Sequence, residues 1–144
     1  LGSTLTIHPP EKILIGKRLA YWALAKDYGF DGLPYSGPVF KSLTVKGNKA
    51  YVDFHHAERG VTSYGKKLSG FEIAGEDKIF YNAQADIDPH WGAGWKRSKL
   101  VLTSKKVQNP KYIRYGWTNY IEGMLYNIQG LPASSFRSYD TDTD

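Results

Sequence analysis

The sequence predicts a mainly β protein, an antiparallel β-sandwich preceded by one N-terminal α-helix. The first thirty residues space their apolar side chains at helical intervals, whereas the chain beyond residue 40 alternates in short runs. Glycine, proline and asparagine separate those runs, which is typical of antiparallel sandwiches. The 144 residues are enough for one domain with an appendage, and 41% hydrophobic with 15% aromatic residues indicates a globular chain.

The helix is predicted over residues 9–28. Pro9 and Pro10 suit a first helical turn, and Gly29 follows as a C-terminal stop. Apolar residues recur at helical spacing, so one stripe of the helix should be buried. That stripe comprises Ile15, Leu19, Trp22 and Ala23, with Lys26 as its only polar member.

The strands follow a linker over residues 30–39, which are rich in glycine and proline. Gly47 and Asn48 form a two-residue combination suited to a tight hairpin. The sandwich is expected over residues 40–138, before a frayed polar tail at 139–144. Its strands are predicted at 43–45, 51–54, 70–74, 79–85, 99–104 and 112–115.

Six motifs along the chain carry a family resemblance that extends over nearly all of it. They are His8-Pro9-Pro10-Glu11-Lys12 with Gly16-Lys17-Arg18-Leu19-Ala20, Ala23-Leu24-Ala25, Tyr35-Ser36-Gly37-Pro38-Val39, Gly70-Phe71-Glu72-Ile73-Ala74-Gly75, Arg114-Tyr115-Gly116-Trp117 and Gly130-Leu131-Pro132-Ala133-Ser134-Ser135-Phe136-Arg137. In this order they resemble the C-terminal part of the sialate O-acetylesterase-like carbohydrate esterases, which are SGNH-type serine hydrolases that remove acetyl groups from sugars. The resemblance implies that residues 1–29 are the terminal segment and helix of a hydrolase domain, followed by a β-rich domain.

The resemblance also implies a catalytic role for His8. The family nucleophile is a serine in a Gly-Gln-Ser-Asn-like motif, and no such tetrapeptide occurs in these 144 residues. The acidic partner usually stands three residues before the histidine, where this chain has Leu5. We therefore expect His8 to act only if another polypeptide supplies the serine, and the chain alone to be inactive. A family member of this kind is expected in an extracellular or periplasmic location.

The helix raises a question of partners. In the family it packs on the hydrolase sheet, and these 144 residues do not include a sequence that predicts that sheet. An exposed apolar stripe promotes association. We expect either a homodimer through residues 13–24 or packing of the helix back onto the sandwich, unless a serine-bearing hydrolase domain or chain covers it.

The alternative function is a non-catalytic carbohydrate-binding module. Trp91 and Trp95 lie between two strands in a segment that contains glycine and proline, and flat indole faces suit sugar rings. Asp88 and His90 would be their polar partners on a polysaccharide or acetylated glycan. The competing interpretation is that both indoles cap the end of the sandwich, which would leave a purely structural accessory domain.

Metal, cofactor, nucleic-acid and membrane functions are not predicted. His55 and His56 are adjacent on a strand and would point to opposite faces, and Asp86, Asp88 and His90 lack the further oxygens that calcium requires. The formal charge of +5 is spread over many turns rather than collected in a stripe, which argues against nucleic acid. No apolar run is long enough to span a membrane.

Overall fold

The computed structural model describes residue 8 and residues 10–88 and 99–139. The chain divides into two compact units, Leu1–Ser36 and Gly37–Asp144. The first contains the helix α1 (Lys12–Lys26). In the described part of the second are the strands β1 (Val39–Lys46), β2 (Lys49–His55), β3 (Val61–Thr62), β4 (Phe71–Ala74), β5 (Tyr81–Asn82), β6 (Gln84–Asp88), β7 (Lys99–Thr103), β8 (Tyr112–Tyr115), β9 (Tyr126–Asn127) and β10 (Phe136–Arg137).

Helix α1 is shorter at its N-terminus than predicted. Glu11 has φ −81° and ψ 62°, and the Lys12 amide donates to the Pro10 carbonyl at 2.9 Å. This is an inverse γ-turn, and it places Pro10 ahead of the helix rather than in its first turn. The C-terminal stop is as predicted, because Gly29 takes a φ of 69° and the Phe30 amide donates to the Leu24 carbonyl at 3.0 Å.

The predicted burial of the helical stripe is wrong in this chain, because no residue of α1 is buried. Leu19 is 66% exposed and Trp22 is 47% exposed. Trp22 packs edge-on against Tyr35, with 5.1 Å between ring centroids, and the Lys26 ammonium lies 4.9 Å from the Tyr35 ring. A single helix has no second layer within its own unit, so its apolar stripe cannot be enclosed there.

The described strands form three sheets, in which every pairing is antiparallel. Two sheets are four-stranded, with the orders β1-β2-β7-β6 and β10-β8-β4-β5, and β3 pairs with β9 in a third. The turn between β1 and β2 is the predicted hairpin, since Lys46 pairs with Lys49 across Gly47 at a φ of 58°. The mainly β, antiparallel class with one N-terminal helix is confirmed.

The single strand predicted over residues 79–85 is two strands in different sheets. β5 pairs with β4 in the second four-stranded sheet, whereas β6 pairs with β7 in the first. The chain crosses between them at Ala83, whose amide donates to the Phe71 carbonyl at 2.9 Å. Alternation does not reveal this crossing, because the core-facing positions continue unbroken through it: Tyr81, Ala83, Ala85 and Ile87.

Five aromatic rings stand at the centre of the core of the second unit. Phe136 on β10 lies 5.7 Å from Phe40 and 5.4 Å from Phe54, which belong to the other four-stranded sheet. On its own sheet it lies 5.5 Å from Tyr115, which stacks on Phe71 at 4.4 Å. Residues of both four-stranded sheets therefore share one hydrophobic cluster.

Asn127 on β9 is a buried polar residue, 2% exposed. Its side-chain amide nitrogen donates to the His56 carbonyl at 3.0 Å, and its side-chain oxygen accepts from the Leu131 amide at 3.0 Å. His56 stands in a left-handed conformation, with a φ of 57°, just after β2. One amide side chain thus connects the turn after β2 to the turn after β9.

We expect Asn127→Ala to lower the free energy of unfolding by about 3 kcal/mol, since two backbone groups in a buried setting lose their partner. Asn119→Ala, at an exposed asparagine, is the matched control and should change stability by less than about 0.5 kcal/mol. Urea denaturation followed by tryptophan fluorescence measures both. Equal stabilities of the two variants would contradict this role for Asn127.

Tyr115 is almost fully buried, at 1% exposed. Its hydroxyl oxygen accepts from the Met124 amide at 3.4 Å. Burial penalises the phenolate and raises the pKa of Tyr115 above its ordinary value of 10. The folded protein therefore holds this proton to a higher pH than the unfolded chain does.

We expect the wild type to lose stability more steeply than Tyr115→Phe as the pH rises from about 9 to about 11. Above the unfolded pKa the unfolded chain binds fewer protons than the native state, so the free energy of unfolding falls as pH rises. Tyr120→Phe, at a tyrosine that is 48% exposed, is the control and should keep the wild-type slope. Parallel slopes for the wild type and Tyr115→Phe in chemical denaturation would rule out this contribution.

Candidate functional site

His8 is an exposed residue that lies four positions before the first residue of α1. Its imidazole is accessible to another surface. Its role therefore depends on what lies opposite it. His8 belongs to the first compact unit.

The predicted sugar-contact segment is described only at its beginning. His90, Trp91 and Trp95 lie outside the described residues. Asp88 is half-buried at the end of β6, directly opposite Lys99 on β7. The Lys99 ammonium in turn lies 3.4 Å from the carboxylate of Asp53 on β2. The structure therefore brings Asp88 into a row of charged side chains across three strands.

The residues weighed as metal ligands do not converge in the described part of the chain. Across residue 8 and residues 10–88 and 99–139, no group of three or more His, Asp or Glu side chains is placed to hold a metal ion. The Glu58 carboxylate accepts from the His56 backbone amide at 3.1 Å, so these two residues form a turn. Within the same ranges, no helix is long and apolar enough to cross a membrane.

A concavity of the second unit lies where the chain crosses between the sheets, and we call it the crossover cleft. Its volume is about 980 Å³, at the upper end of the range for small-molecule pockets. Polar side chains dominate its lining. The lining residues are Asn48, Glu72, Phe80, Tyr81, Asn82, Gln84, Thr103, Ser104, Lys105, Lys106 and Gln108.

Strand register explains why polar groups collect in the crossover cleft. Asn82 pairs with Glu72 across β5 and β4, and Gln84 pairs with Thr103 across β6 and β7. Asn82 and Gln84 flank the crossing residue and are both exposed, while the residues between and beside them face the core. The two sheet edges thus each contribute a polar pair to one concave surface.

Aromatic rings and charges complete the crossover cleft. The Arg114 Nε lies 2.6 Å from the Glu72 carboxylate, and the Arg114 guanidinium lies 4.1 Å from the centre of the Phe80 ring. The hydrogen bond to Glu72 is the main reason that the pKa of Arg114 is raised. The Lys106 ammonium lies 5.0 Å from the centre of the Tyr81 ring. The negative charge of Glu72 is therefore balanced by Arg114, a residue of the same sheet.

A second concavity of about 650 Å³ lies on the other side of the crossing. It shares Asn82 and Gln84 with the crossover cleft and is also lined by Asp86, whose carboxylate accepts from the Gln84 amide at 3.0 Å. Sequence reasoning missed both concavities. The signal that was present is the alternation of Tyr81, Asn82, Ala83 and Gln84, with amides on the outward positions.

Comparison with known proteins places the chain beside an enzyme that acts on carbohydrates. No family model matches the sequence, and neither does any curated protein. Among solved structures, the carbohydrate acetylesterase XAC1771 from Xanthomonas citri is 36% identical, with a TM-score of 0.79 over 97% of this chain. The chain spans 31% of the length of that protein. It is therefore related to part of a carbohydrate esterase.

Proposed function

We propose that this chain is the C-terminal part, or a subunit, of a carbohydrate O-acetylesterase of the SGNH serine-hydrolase type. The observation that carries the proposal is the 36% identity, maintained over 97% of the chain, with a carbohydrate acetylesterase three times its length. The ordered motifs of the sialate O-acetylesterase-like esterases, from His8 to Arg137, support the finer assignment. An extracellular or periplasmic location belongs to the same proposal.

In the proposed mechanism, His8 is the general base and then the general acid. A serine from outside these residues attacks the acetyl carbonyl carbon while its proton passes to the His8 imidazole. The ester bond to the sugar breaks, and the sugar oxygen takes that proton. Water, deprotonated by His8, then attacks the acetyl-serine, the bond between the serine oxygen and the acetyl carbon breaks to release acetate, and His8 returns the proton to the serine oxygen. Backbone amides of the serine-bearing part would stabilise the oxyanion at both steps.

The exposed apolar stripe of α1 supports a covering surface on the hydrolase part. Leu19 is 66% exposed and Trp22 is 47% exposed. Apolar side chains gathered on one helix are typical of an interface. We propose that the serine-bearing part covers this stripe and thereby positions His8, which precedes the same helix.

For the second unit we propose a sandwich-like accessory domain. Its two four-stranded sheets share a core, and the strand crossing at Ala83 is of the kind that joins the layers of packed sheets. Contact of Trp91 and Trp95 with a glycan remains part of the proposal on sequence grounds alone. Neither role requires the second unit to carry out chemistry.

We expect His8→Ala to lower kcat for an acetylated oligosaccharide by about 10²- to 10⁴-fold in a protein that contains both this chain and a serine-bearing hydrolase part. The reading frame upstream of Leu1 is the first source of that part to test. Acetate release, measured by an enzyme-coupled assay, gives the rate. His55→Ala, at another exposed histidine, is the matched control and should keep wild-type activity.

The same assay on the 144 residues alone should show no acetate release above buffer. Turnover of a natural acetylated sugar by the isolated chain would contradict the assignment of the nucleophile to another part. Equal activity of His8→Ala and the wild type in the complete protein would contradict the role of His8.

We expect the isolated chain to self-associate through α1, and Leu19→Asp to shift it towards the monomer. A charge in the exposed stripe should oppose apolar association, whereas Lys17→Asp on the same helix leaves the apolar side chains intact and serves as the control. Light scattering coupled to size-exclusion chromatography measures the mass over a concentration series. A wild type that stays monomeric at high concentration would contradict the expectation.

A further inference from the structure

We propose that the crossover cleft is a binding site for a neutral glycan, recognised through its hydroxyl groups. The cleft is separate in chemistry from the reaction assigned to His8, since it contains amides, rings and lysines but no nucleophile paired with a base. Its volume of about 980 Å³ leaves room for a ligand of several sugar rings rather than a small ion. Four kinds of observation carry the proposal.

The first observation is the set of amide side chains. Asn48, Asn82, Gln84 and Gln108 all line the crossover cleft. Each amide offers two donors and an acceptor oxygen, which matches the mixed donor and acceptor character of adjacent sugar hydroxyls. Within the described residues, neither Asn48 nor Asn82 uses its side-chain amide for a hydrogen bond to the protein. Those amides are available to a ligand.

The second observation is that strand pairing fixes the backbone positions of Asn82 and Gln84 in the crossover cleft. Asn82 and Gln84 are carried on strands paired to β4 and β7, so their Cα atoms are set by two sheets at once. Sites built on strands hold their polar groups more precisely than sites on loops. A ligand therefore meets groups that do not need to be ordered on binding.

The third observation is the pair of rings beside the amides. Phe80 and Tyr81 are half-buried in the lining, and a cation lies over one face of each ring, Arg114 at 4.1 Å from the centre of Phe80 and Lys106 at 5.0 Å from the centre of Tyr81. A sugar ring presents C–H groups on its faces as well as hydroxyls on its edge. Aromatic carbons next to amides suit both kinds of surface.

The fourth observation is the charge. Glu72 is bound by Arg114 at 2.6 Å, so the crossover cleft has no free carboxylate on that side to attract a cation. Lys105 and Lys106 are exposed members of the lining and oppose a cationic ligand. Recognition through amides and rings should depend little on ionic strength, whereas recognition through these lysines would be screened by salt.

The choice of a glycan over another polyhydroxylated ligand rests on the proposed function, because that function places the chain in an enzyme of carbohydrates. The geometry of the cleft does not involve His8. A failure of the His8 experiment would therefore leave glycan binding to be measured, and a failure of glycan binding would leave the esterase assignment in place.

The test is affinity electrophoresis of the 144-residue chain through gels that contain xyloglucan, xylan, mannan or soluble cellulose derivatives, followed by calorimetry with the matching oligosaccharide. We expect at least one of these neutral glycans to retard the wild type. Asn82→Ala/Gln84→Ala should weaken binding by tenfold or more, since two amide contacts are lost. The matched control is Asn119→Ala/Gln129→Ala, which removes the same amide types at exposed positions outside the cleft and should bind like the wild type.

Circular dichroism melting confirms that each variant is folded, and Asn48→Ala, in an exposed turn, gives a second variant if the double variant is not. Neutral-glycan binding that persists at high salt supports the proposal. Three results would overturn it: no retardation of the folded chain by any neutral glycan, retention only on polygalacturonate that salt abolishes, or a loss confined to Trp91→Ala/Trp95→Ala with full binding by the cleft variants.

Discussion

The contact of Phe136 with rings on both four-stranded sheets is the interaction on which the second unit depends. Its ring lies within 5.7 Å of Phe40 and Phe54 on one sheet and of Tyr115 on the other. Each four-stranded sheet has one apolar face that must leave water, and neither face can be covered by its own strands. A two-residue strand near the C-terminus of the described chain therefore supplies the ring that closes the core. Around this centre, Asn127 connects the turn after β2 to the turn after β9, and the crossing at Ala83 connects the two four-stranded sheets.

The sequence predicts the class and the regular elements well, and it does so for physical reasons. Leu43, Val52 and Ile113 belong to long alternating runs, in which side-chain period and backbone pairing point to the same structure. The strands β3, β9 and β10 contain two residues each and are too short to show a period. The division of the predicted strand 79–85 into β5 and β6 could not be predicted from the sequence, for a different reason. A change of hydrogen-bond partner at Ala83 leaves the alternation of buried and exposed positions intact.

Site prediction from the sequence relied on residue types that stand out singly. His8 and the tryptophans of the 86–95 segment attract notice in the sequence, whereas Asn82, Gln84 and Thr103 are ordinary surface residues until strand pairing brings them together. The apolar stripe of the helix shows an opposite limitation of prediction from sequence. Its spacing indicates a surface suited to contact, but spacing does not reveal which layer covers that surface. Leu19 is 66% exposed, so the helical unit does not enclose its own apolar stripe.

The crossing at Ala83 has a mechanical consequence. Because one continuous backbone contributes Asn82 to one sheet and Gln84 to the other, any sliding of the two sheets past each other would have to stretch or bend a single peptide segment. The backbone positions of Asn82 and Gln84 on either side of Ala83 are therefore held at a nearly constant separation. Because this separation is fixed, Asn48 and the residues at positions 104–108 can differ between related chains without moving Asn82 and Gln84. Changes in ligand preference among related chains should accordingly concentrate at those positions.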